Sequence, residues 1–209
     1  GSRSATTARR KARMQRNVSG PGPSVLGQTS RSGADQGTSS SMAPPPSASG
    51  VYLLSTTASG TLSSTTGAAD LSFTDADILQ LAIQSNGQYQ YELYFDGSDA
   101  GLSTSAEDID AFTMLQDGSI VISTAGSFSV PAVGGGTLTG SGEDLLRFVP
   151  SLLGPATAGA WSIYFDGSDV GLSGSTENID AIAVLSNGYL LVSTVDAPSD
   201  STDQALGAG

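Results

Sequence analysis

YFDGSDAGLSTSAEDIDAFTMLQDGSIVIST, residues 94–124, returns seventy positions later as YFDGSDVGLSGSTENIDAIAVLSNGYLLVST, residues 164–194, almost without a change of register. A repeat of this length means one supersecondary unit laid against its copy, because a single unit cannot bury its apolar face alone. Working outward, Leu53-Leu54-Ser55-Thr56 matches Val121-Ile122-Ser123-Thr124 and Leu191-Val192-Ser193-Thr194, and Asp77–Leu81 matches Asp144–Phe148. One full unit therefore holds four short segments of strand character: Asp-Ile-Asp-Ala, Ser-Thr, Asp-Leu-Leu and Tyr-Phe-Asp-Gly-Ser-Asp.

Strand signals fall at residues 51–56, 77–83, 88–95, 109–115, 119–124, 144–149, 160–165, 179–185 and 189–194. Ser85-Asn86-Gly87, Gln116-Asp117-Gly118 and Ser186-Asn187-Gly188 join neighbouring strands as hairpin turns. No stretch has convincing helical periodicity. The expected fold is all-β: two tandem four-stranded antiparallel repeats of about 70 residues, each blade-like, assembled either as part of a propeller or as a β-sandwich. Two copies cannot close a ring by themselves, so a propeller requires further subunits. A sandwich leaves an edge that the N-terminal segment could cover. The Ser/Thr/Gly-rich stretch up to Asp75 and the Gly-rich stretch 126–142 read as loops.

Composition divides the chain into residues 1–50, a low-complexity basic arm, residues 51–199, the two-repeat β domain, and residues 200–209, a short tail. Every basic residue except Arg147 lies in the arm, and every acidic residue except Asp35 lies after it. The arm is thus 7 − 1 = +6 and the remainder 1 − 19 = −18, which together give the net −12. A body of that charge repels nucleic acid and anionic membrane, and no apolar run is long enough to suggest membrane insertion. Arg9, Arg10, Lys11, Arg13 and Arg16 form a cluster suited to docking on an acidic neighbour, which makes a second copy of the chain the expected partner. Asn17-Val18-Ser19 is a glycosylation sequon. The absence of cysteine excludes disulfides and thiolate metal sites.

The acidic loops are the one place where chemistry is concentrated. Asp96, Asp99, Glu107 and Asp110, with Asp166, Asp169, Glu177 and Asp180 in the copy, are hard oxygen donors interleaved with Gly and Ser, a set suited to calcium. Asp108 becomes Asn178 in the copy, which would weaken a second site. The competing structural reading is that these residues shape turns, because Asp and Ser hydrogen-bond their own backbone and Asp-Gly permits sharp corners. With no His or Cys, and no Lys beyond the arm, only a carboxylate pair such as Asp96 and Asp166 could catalyse. Their Phe-Asp-Gly-Ser setting is not the Asp-Thr/Ser-Gly of aspartic proteases, so no enzymatic activity is expected. Trp161 beside acidic and hydroxyl groups suits either a glycan-binding face or the packing between sheets.

The ordered phrases FDGSDVGL, DIDA, LLVST, GSFSVP and EDLLRF resemble the tandem repeats of secreted or surface bacterial proteins, over about residues 51–199. The resemblance implies an extracellular or cell-surface location and a structural or adhesive role, without assigning any activity or any role to the aspartates. The leading expectation is a structural protein that self-assembles into a filament or surface array through arm and body. The alternative is a carbohydrate-binding lectin or adhesin, whose subunits close an oligomeric propeller.

Overall fold

The computed structural model describes residues 13–16, 49–174 and 177–195. The rest of the basic arm, including Arg9, Arg10, Lys11 and the sequon, and the tail 200–209 lie outside the described residues. Fourteen strands follow in order: β1 (Arg13–Arg16), β2 (Gly50–Ser55), β3 (Gly60–Leu62), β4 (Leu71–Phe73), β5 (Ile78–Ile83), β6 (Tyr89–Phe95), β7 (Ile109–Met114), β8 (Ile120–Thr124), β9 (Phe128–Pro131), β10 (Thr137–Gly140), β11 (Leu145–Leu152), β12 (Ala158–Phe165), β13 (Ile179–Val184) and β14 (Leu190–Thr194). Among the described residues there is no α-helix, only a 3-10 turn at Gly167–Val170.

The four-segment unit is visible as a sheet. The order β12-β11-β8-β7 is an antiparallel meander, and the first sheet, β1-β2-β5-β6, repeats it. β13 and β14 form a third, two-stranded sheet. Among the described residues there is no closed barrel, and the architecture is all-β with sandwich-like packing of small antiparallel sheets. The stretches read as loops before Asp75 and over 126–142 each contain a hairpin, β3–β4 and β9–β10. They escape the periodicity reading because three or four residues, rich in Thr, Ser and Gly, are too few to display an alternating pattern.

The arm departs from its expected lack of strand structure. β1 pairs Arg13 with Ser55, Met14 with Leu54, Gln15 with Leu53 and Arg16 with Tyr52. In the second sheet, β7 pairs Ala111 with Ser123, Phe112 with Ile122, Thr113 with Val121 and Met114 with Ile120. Arg-Met-Gln-Arg therefore occupies, in the same register, the outer-strand position that β7 holds one unit later. It covers an edge of β2 that would otherwise offer a row of unpaired backbone groups.

Successive units pack face to face. Leu53, Ile78 and Phe95 of the first sheet bury against Ile109, Phe112, Ile120, Ile122, Leu146, Phe148 and Trp161 of the second. Ala111, Val121 and Leu145 then meet Ile179 and Ile182 of β13. Trp161 is fully buried, with its ring centroid 4.7 Å from Phe148 and 6.1 Å from Phe95. Its indole N–H donates to the Ala100 carbonyl at 2.8 Å. Such aromatic pairs add roughly 0.5–1.5 kcal/mol beyond the area they bury. Of the two roles open to Trp161 in the sequence, the structure shows packing between sheets.

Candidate functional site

The acidic loops lie at the corners where one strand turns into the next unit. Asp77 begins the construction: one carboxylate oxygen accepts from Thr74 N at 2.6 Å and the other from Gly97 N at 2.9 Å. Asp144 repeats this with Ser141 N and Gly167 N at 3.1 and 2.9 Å. The approach is so close that a Cβ on Gly97 would stand 2.1 Å from the Ala76 carbonyl oxygen, and one on Gly167 2.4 Å from that of Glu143. Glycine is therefore a steric requirement of the Phe-Asp-Gly-Ser phrase.

The eight candidate ligands divide by what their oxygens already do. Asp96 accepts from Ser98 N, Ser98 Oγ and Asp99 N at 3.1, 2.7 and 3.3 Å, closing its own turn. Asp166 does the same through Ser168 N and Oγ at 3.0 and 2.6 Å, and caps the 3-10 turn. Asp99 and Asp169 are exposed on these turns. Glu107 is buried: Oε2 takes Ser103 N, Thr104 N and Thr104 Oγ1, and Oε1 takes Ser129 N at 2.9 Å. Burial alone would raise its pKa, but these donors together outweigh it and hold the carboxyl below its usual range. Glu177, also buried, accepts from Ser173 N and Gly174 N at 2.5 and 2.7 Å. Asp180 accepts from Ser193 Oγ at 2.6 Å.

Asp110 is the candidate that reaches across units, accepting from Asn178 Nδ2 at 3.3 Å. Asn178 Nδ2 also lies 3.4 Å from the Ala125 carbonyl oxygen. A cleft of about 190 Å3 opens beside it, lined by Gly126, Ser141, Gly142, Glu143 and Ser173 among others. Asp108 holds the equivalent position one unit earlier. Its Oδ1 is buried with no hydrogen-bond donor, and burial, with Asp75 and Asp110 nearby, pushes its pKa up to about 7.

Among the described residues, no three acidic groups converge in a way that could hold a metal ion. Asp75 and Asp110 lie close enough to Asp108 to raise its pKa, while Asp96 and Asp166 each close a turn of their own unit. The residues absent from the sequence-derived candidates are Asp77 and Asp144, which tie each corner to its sheet, and Asp75 beside Asp108. Asp77 and Asp144 open the matched phrases, so their recurrence was the available signal. Arg147, the one basic residue after the arm, is already engaged: its guanidinium pairs with Asp117, and Nε donates to Ser119 Oγ at 3.0 Å. The other carboxylates of the body have no basic residue of the body left to pair with.

No protein family, curated protein or solved structure matches this chain.

Proposed function

We propose that this is a non-enzymatic structural protein that assembles outside the cell into a filament or surface array, with the basic arm of one copy docking on the acidic β-body of the next. The observation that carries this reading is β1. A four-residue piece of the arm forms a strand on β2, in the position and register that a body strand takes in the second sheet.

The connection differs sharply between the two. β7 and β8 are joined by a tight turn, whereas residues 17–49 separate β1 from β2. The contour of those residues has an upper limit of roughly 110 Å at about 3.3 Å per residue, enough to span a neighbouring body of this size. The same slot can thus be filled by strand addition from another copy, with backbone pairing supplying affinity and charge supplying steering. Arg147 is the body's single basic residue, so the body keeps a strongly negative net charge that would attract the arm. The resemblance to surface repeats supports the extracellular setting.

Deleting residues 1–49 tests the proposal by electron microscopy and light scattering. The truncated body should remain folded and should no longer polymerise. Filaments grown from the truncated protein would refute the arm as connector.

A further inference from the structure

β1 brings less apolar sequence to its slot than β7 brings to the equivalent one. In β7 the positions are Ala111, Phe112 and Thr113, which are 3%, 4% and 8% exposed, and Met114, which packs against the core. β1 offers Arg13, Met14, Gln15 and Arg16 at the same register. Backbone pairing is common to both strands, whereas the apolar residues of β7 have only Met14 as a counterpart in β1. Affinity that comes mainly from main-chain bonds is affinity that the same strand of another copy can supply equally.

The connection behind β1 is also far longer than the pairing needs. Arg16 stands opposite Tyr52 as Met114 stands opposite Ile120. Residues 115–119 close the second of these gaps, and residues 17–49 lie in the first. A tight hairpin confines its strand to its own chain. A connection with a contour limit of roughly 110 Å also lets the strand reach the β2 of a second copy. Both arrangements make the same backbone pairs and bring the same opposite charges together, so concentration decides between them.

We propose that β1 is an exchangeable strand whose pairing within its own chain autoinhibits assembly: dilute copies stay closed on themselves, and crowded copies pass β1 to the β2 of a neighbour. This rests on the reading of the arm as connector and adds what regulates it. A tether of this order presents a strand to its own slot at an effective concentration in the mM range. At about 10 μM protein a neighbour's slot is therefore roughly a hundredfold more dilute than the chain's own, and assembly is suppressed. Near about 1 mM, a density that copies packed on a surface reach, the two pairings become comparable.

Because the protein contains no cysteine, Met14→Cys combined with Leu54→Cys reports where β1 is, since these residues face each other in the β1–β2 register. Facing Cα atoms of antiparallel strands are about 4.5–5.5 Å apart, within disulfide reach. Oxidised at about 10 μM, the full-length double variant should close a disulfide within each chain and sediment at the 20.9 kDa chain mass. Oxidised at about 1 mM, it should give a ladder of chains joined by disulfides. Protein first oxidised when dilute and then concentrated should not assemble, and adding a reductant should restore assembly, so that one polypeptide serves as its own folding control. A ladder already at the lower concentration, disulfides confined within chains at both concentrations, no disulfide at either, or assembly by the chain oxidised shut would overturn the proposal. The last result would leave the arm as a connector acting through charge alone, whereas filaments from the body lacking residues 1–49 would overturn the arm itself.

Discussion

Asp108→Asn should stabilise this protein at neutral and alkaline pH, and by an amount that disappears on acidification. The carboxylate is half-buried, Oδ1 has no donor, and Asp75 and Asp110 are close by, which moves its pKa from 3.8 to about 7. For an acid whose folded-state pKa is raised, the folded protein binds more protons than the unfolded chain between the two values. Stability therefore falls as pH rises from about 4 to about 7 and stays low above that. At about 1.4 kcal/mol per pH unit the ceiling is roughly 4 kcal/mol. Asp108 keeps part of its surface in water, so screening reduces the expected cost to about 1–2 kcal/mol. The repeat itself uses the replacement: Asn178 occupies the same position, keeps a buried Oδ1 without a donor but carries no charge, and offers Nδ2 to Asp110 and the Ala125 carbonyl. Urea denaturation of the full chain and of Asp108→Asn, followed by intrinsic Trp161 fluorescence, gives the difference at each pH. It should be about 1–2 kcal/mol at pH 8 and near zero at pH 4. A difference that is absent at pH 8, reversed in sign, or independent of pH would refute the reasoning.

Gly97→Ala should cost more than about 2 kcal/mol in chemical denaturation, because the new Cβ meets backbone oxygen that cannot move without opening the Asp77 corner. Trp161→Phe removes the buried bond to Ala100 and part of the ring contact with Phe148, and should lower stability by roughly 2–3 kcal/mol with the sheets retained in circular dichroism. Calcium at about 1 mM, compared with chelator, should leave the melting temperature of the full chain unchanged, since Asp96, Glu107, Asp166 and Glu177 already accept from their own loops. A clear rise with calcium would instead assign these loops a cation.

Every strand of the two complete sheets except β1 was legible because a repeat supplies its own internal comparison: matching Asp77–Leu81 to Asp144–Phe148 and Leu53–Thr56 to Val121–Thr124 identifies strands that no single periodicity would secure. The hairpin turns were legible too, though their form is more specific than an Asn-Gly or Asp-Gly pair suggests. Gly87, Gly118 and Gly188 each take a positive φ, and the preceding Asn86, Asp117 or Asn187 accepts from the backbone N–H two residues on. The site was less legible. Asp96, Asp99, Glu107 and Asp110 look alike in sequence as hard oxygen donors, but the loop paths give Asp96 three donors from its own turn, leave Asp99 exposed and leave Asp108 with a buried, undonated oxygen.

What the sequence alone determined was local and repeated: alternating apolar residues that make strands, Gly where the chain must turn, and the division into a basic arm and an acidic body. These are set by backbone sterics and charge, which act over a few residues or follow from counting. Only the tertiary structure decided which strand lies beside which. That assignment puts Arg13–Arg16 in the slot of β7, buries Val121 while exposing Leu191, and sets Asp108 beside Asp75. Near-identical phrases thus acquire different environments, because burial, pairing and proton affinity depend on neighbours that the rest of the chain supplies.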